Sequence, residues 1–104
     1  MLRERRTRDR IDCTYPAIIR WFDSTSRRVQ EQGILLNMSA VGFYLRLKQQ
    51  IEPGVRLFVF CALAMTPQSN ETLKLASRGI VVRTEAYPDG TYGLGIKIDR
   101  SRFV

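Results

Sequence analysis

Read for apolar and polar positions, the chain falls into six strand-like runs divided by turn residues. Ile11 to Phe22 is the first, interrupted by Pro16, which lacks an N–H and marks this run as an edge or as bent. Asp23-Ser24-Thr25-Ser26 reads as a turn. Arg28 to Leu36 is the second run, with Gly33 as the expected bulge, and Phe43 to Leu47 is the third. Glu52-Pro53-Gly54 is a turn with Pro and Gly at the positions a type II turn favours. Val55 to Met65 is almost unbroken apolar sequence. Its Val and Phe content, with Pro53-Gly54 before it and Pro67 after it, favours a buried strand over a helix. Thr66 to Glu71 is a polar loop. Thr72 to Glu85 is a long strand in which Gly79 marks a bend. Tyr87-Pro88-Asp89-Gly90-Thr91 is a hairpin turn. In the last run Tyr92, Leu94, Ile96 and Ile98 alternate with Gly93, Gly95 and Lys97. The even positions are expected in the core, and the odd ones leave a bare strip for a ligand or another backbone.

No stretch has a convincing helical period, and Asp99 to Val104 is too short for a substantial helix. The expectation is an all-β, six-stranded antiparallel β-barrel, since closure removes exposed edges. The barrel domain spans 11–104. Residues 1–10 are too polar to pack on their own and form a flexible basic arm.

Composition changes this picture in one direction. A chain of 104 residues is one domain, able to bury about 60–65% of its unfolded surface. The net charge is +7, and 14 of the 17 basic residues are arginine. Such a balance favours anionic partners, and the guanidinium fork suits phosphates and guanine edges. Histidine is absent, which removes the usual acid–base catalyst near neutral pH. No P-loop, G-x-S-x-G or metal-ligand cluster is present, so neither an enzyme nor a bound metal or cofactor is expected. No apolar run reaches membrane-spanning length and no signal-peptide pattern follows the basic start, so the expected location is cytoplasmic. Cys13 and Cys61, far apart in strand-like runs, read as buried thiols.

Two stretches carry candidate chemistry. Asn37-Met38-Ser39-Ala40-Val41-Gly42 sets an amide, a hydroxyl and a residue without Cβ between two strands. Such a notch serves either to cap its own turn or to hold a ligand. In the arm, Arg6 and Arg10 are the arginines four apart, an R-x-x-x-R that ends as the first strand begins. Arginines at that spacing reach phosphates and a base face together, and the Asn/Ser/Gly turn offers groups to a purine edge.

With these two motifs about thirty residues apart, the sequence resembles the PilZ domain family across nearly its whole length. Arg6 and Arg10 match the family's R-x-x-x-R. Asn37, Ser39 and Gly42 match its [D/N]-x-S-x-x-G, and Pro16 and Tyr92-Gly93-Leu94-Gly95-Ile96 match its flanking text. The resemblance implies a six-stranded barrel that binds the bacterial second messenger cyclic di-GMP and passes the signal to a protein partner. It implies ligand contacts from Arg5, Arg6, Arg10, Asn37, Ser39 and Gly42, with Arg8, Gly93 and Gly95 as additional ones. Arg5 directly before the motif implies a stacked pair of ligands. The chain departs from the family in two places. Asn37 stands where Asp is common, which implies weaker binding. The C-terminal helix of many members is missing or supplied by a partner.

Two binding alternatives remain open. One is a degenerate member of the family that no longer binds nucleotide and serves as a protein-interaction module. The other is a small barrel for RNA or single-stranded DNA, using Tyr15, Trp21, Phe22, Phe43, Tyr44 and Tyr92 as stacking platforms. Most of these aromatics lie in apolar runs and are expected in the core, so no nucleic-acid partner is expected.

Overall fold

The computed structural model describes residues 11–64 and 72–104. The basic arm at 1–10 and the loop expected at Thr66 to Glu71 lie outside the described residues. Six strands follow one another: β1 (Ile11–Phe22), β2 (Arg28–Met38), β3 (Gly42–Leu47), β4 (Arg56–Ala64), β5 (Thr72–Ala86) and β6 (Tyr92–Phe103). All pairings are antiparallel, and the order β1-β2-β3-β6-β5-β4 closes into a barrel. The all-β, six-stranded expectation holds, with no helix among the described residues.

Alternation builds the interior. Ile19 on β1, Leu35 on β2, Leu45 on β3, Leu57 and Val59 on β4 and Leu94 on β6 are fully buried. Cys61 joins this core. Of the aromatics expected inside, Trp21 and Phe43 are buried, but Phe22 at the end of β1 is 58% exposed. Tyr15, Tyr44 and Tyr92 are half-buried. The outward position of Phe22 follows from period two, since Ala17, Ile19 and Trp21 take the inner face of β1.

Several local expectations shift. The bulge of β2 is at Leu36, not Gly33: Leu35 pairs with Leu45 but Asn37 pairs with Tyr44. Gly33 is required by packing instead, because a Cβ there would lie 2.3 Å from a Leu47 methyl and 2.8 Å from the Arg46 carbonyl oxygen. The bend expected at Gly79 coincides with a register shift between Arg78 and Gly79 against β6. β6 runs five residues beyond Ile98, to Phe103, and pairs with the edge of the first half of β5 that β4 does not cover; Ser77 and Ser101 share a hydrogen bond of 2.8 Å there. β1 and β4 close the barrel over four register pairs, from Ala17–Cys61 to Arg20–Phe58.

Candidate functional site

The Leu36 bulge determines what the notch presents. In the register of Leu35 and Leu45, Asn37 would face the core. The extra residue turns it outward, opposite Tyr44. After Met38 the chain makes a tight turn. The Ser39 N–H donates to the Gly42 carbonyl at 2.9 Å, and the Val41 N–H donates to the Ser39 hydroxyl at 3.3 Å. The capping role therefore belongs to Ser39. The Asn37 side-chain amide has no hydrogen-bond partner among the described residues, and its residue is half-buried. Gly42 lets β3 approach β6, since a Cβ would stand 2.6 Å from the Ile96 carbonyl oxygen.

Asn37, Ser39 and Gly42 form one wall of an open groove of about 470 Å³. Tyr44, Arg83 and Gly95 line it as well. The Arg83 guanidinium lies 5.7 Å from the Tyr44 ring centroid, and its aliphatic stem covers Gly95. Val41 and Val82 leave exposed apolar surface at the rim. A cationic head, an aromatic face, an unpaired amide and apolar edges suit a planar heteroaromatic ligand, and the Glu85 carboxylate, which also lines the groove, offsets the Arg83 charge.

The strip of odd positions on β6 is not bare along its length. A Cβ at Gly93 would fall 1.9 Å from the Tyr44 hydroxyl, so a tyrosine fills the space left for another group. That hydroxyl donates to a Glu85 carboxylate oxygen at 2.6 Å and shares a further hydrogen bond with the Tyr87 hydroxyl. With its proton given to Glu85, Tyr44 accepts from Tyr87. Partial burial and the bond to Glu85 push the Tyr44 phenol well above its ordinary value. Behind it the Arg46 guanidinium stacks 3.6 Å from the Tyr87 ring centroid, and its Nε donates to the Thr91 hydroxyl at 2.9 Å. The hairpin turn thereby braces the end of the groove.

The structure brings Asn37, Ser39, Gly42 and Gly95 to one groove, while Gly93 lies beneath Tyr44. Arg5, Arg6, Arg8 and Arg10 lie outside the described residues. Arg83 and Val82 were not singled out as site residues by sequence, and Tyr44 was named only as a stacking platform for a nucleic acid, since no short motif joins β3 to β5. Among the described residues no group of three His, Cys, Asp or Glu side chains is placed to hold a metal ion. No helix there is long and apolar enough to cross a membrane.

No family model and no curated protein matches the chain. Solved structures do. The Bacillus subtilis inhibitor of motility (MotI/DgrA) superposes with a TM-score of 0.67 over 93% of the chain, at 18% sequence identity. The chain spans 44% of the length of that protein. The barrel is therefore similar to a part of that inhibitor, and the likeness is one of fold.

Proposed function

We propose that the protein is a receptor for cyclic di-GMP that acts through a protein partner and performs no chemistry on its ligand. The observation that carries this reading is the unpaired Asn37 amide beside Ser39, Gly42, Tyr44 and Arg83 in one groove. In this reading Asn37 and Ser39 meet the edge of one guanine, and Arg83 and the Tyr44 ring meet a base face. Arg6 and Arg10 cross from the arm to fork onto phosphates and guanine O6/N7, with Arg5 and Arg8 adding positive charge and a second, stacked ligand accommodated. Ordering of residues 1–10 over the groove creates the new surface that a partner reads. The fold likeness to an inhibitor of motility makes motility the first process to test.

One observation favours a protein-only module instead: the Ser39 hydroxyl already caps its own turn. Calorimetric titration with cyclic di-GMP decides between the two, run beside Arg10→Ala and a GMP control. Saturable heat that requires Arg10 and is absent for GMP is the expected result. A folded protein that gives no heat at high ligand concentration is the module.

A further inference from the structure

β4 lies between β1 and β5 in the barrel, with Leu57, Val59 and Cys61 facing inward. Phe58 and Phe60 must then face out, and Phe58 is 41% exposed. The register sets Arg20 and Arg78 on either side of Phe58, and Arg100 beyond Arg78. The next row runs Ile18, Phe60, Ala76, Arg102. Two shallow hollows of about 310 and 280 Å³ meet along the Phe58–Phe60 ridge. Arg78, Arg100 and Arg102 line the first; Arg20, Phe22 and Arg28 line the second. The Arg20 guanidinium sits 5.1 Å from the Phe60 ring centroid. Among the described residues, Arg28, Arg78, Arg100 and Arg102 have no carboxylate partner, and the nearby Asp99 pairs with Arg56.

This face has the wrong charge for a second copy of itself, since a two-fold contact would set arginine against arginine. The ridge argues for a particular kind of anion. Residues i and i+2 on a strand are about 7 Å apart. Bases stacked in a duplex are about 3.4 Å apart along each strand and offer no face to a protein ring. Unstacked bases of a single strand do offer faces, and arginines on both flanks of the ridge suit its phosphates. We propose that the outer face of β1, β4, β5 and β6 binds single-stranded nucleic acid, with successive bases on the Phe58 ring and on the Arg20 guanidinium that lies over Phe60, and the backbone on Arg78 and Arg100. The grip is sequence-tolerant, because phenylalanine reads no base edge. No residue lining the two hollows also lines the Asn37 groove, so this inference stands independently of the cyclic di-GMP reading.

Fluorescence anisotropy with labelled twelve-nucleotide oligo(U) and oligo(dT), and a duplex of the same length, tests it on the whole chain. Saturable binding of a single strand in preference to the duplex is expected. Phe58→Ala keeps every charge, so it should weaken single-strand binding by about 5-fold or more with duplex binding unchanged. Arg100→Ala should flatten the slope of log affinity against log salt by about 0.7. Thermal melts confirm that each variant is folded. A Phe58→Ala protein that binds like the parent overturns the proposal. So does displacement of the strand by polyglutamate at equal charge concentration, which would assign the face to an acidic protein. Comparing the two oligonucleotides shows whether RNA or DNA is preferred.

Discussion

Asn37 faces Tyr44 across the β2–β3 ladder, one residue out of the register that Leu35 and Leu45 set. That slip puts an amide without a partner on the outer wall of the barrel, where a carboxylate would give a stronger acceptor. Asn37→Asp is therefore expected to tighten cyclic di-GMP binding by about 3- to 10-fold, the difference between a neutral and a charge-assisted hydrogen bond. Calorimetry measures it. Unchanged affinity in a folded variant would mean that residue 37 does not touch a guanine.

Gly42 and Gly95 flank the same groove but differ in what an added methyl would meet. At Gly42 it meets the Ile96 carbonyl of the backbone at 2.6 Å; at Gly95 it meets the flexible Arg83 stem at 3.0 Å. Gly42→Ala should cost about 1–3 kcal/mol of stability through overpacking, and Gly95→Ala clearly less. Urea denaturation of the two variants gives the comparison, and equal losses would contradict this packing.

Arg46 holds the hairpin turn through a stack on Tyr87 and a hydrogen bond to Thr91. Its contact with Asp89, at 3.4 Å, is exposed and contributes little. Arg46→Lys keeps the charge but loses the planar stack and the Nε–H, so it should cost about 1 kcal/mol. Because the loss is not mainly an ion pair, 1 M salt should leave most of it in place in thermal melts. Disappearance of the difference in salt would show the reverse.

Stability should fall at both ends of the pH range, for separate reasons. Hydrogen bonds from Thr91 hold the Asp89 carboxyl below its ordinary value of 3.8, and those from Thr25 and Arg27 do the same for Asp23. Depressed values stabilise the fold above the ordinary carboxylate range, and that contribution is lost as pH falls through the folded-state values. Tyr44 is raised above its ordinary 10.0. Its contribution is complete below that pH and drains away as pH climbs beyond it. Tyr44→Phe should abolish this alkaline part alone, visible as a flatter melting temperature between about pH 10 and 12. An unchanged alkaline decline would place its origin elsewhere.

The six strands were legible because apolar runs and turn residues punctuate them cleanly. The extension of β6 through Arg100, Ser101 and Arg102 was not, since a polar ladder carries no hydrophobic period and depends on the partner β5. The bulge was misplaced for a related reason. In Ile34-Leu35-Leu36 nothing says which residue is extra, and only pairing with Leu45 and Tyr44 decides it. Asn37, Ser39 and Gly42 stood out because turn chemistry is local. Arg83 reaches the groove from a strand some forty residues on, and such a neighbour is set by topology.

The four pairs between β1 and β4 are the whole closure of the barrel among the described residues. Pro16, next in line, brings no N–H to extend it. A zipper this short should unfasten early in native-state hydrogen exchange, with amides of the β1–β4 seam trading protons ahead of the long β5–β6 hairpin. The arginine arm is spliced directly onto β1. A ligand that pins the arm would also lower the odds that the seam opens, so ligand occupancy would be legible in exchange rates on the far side of the barrel.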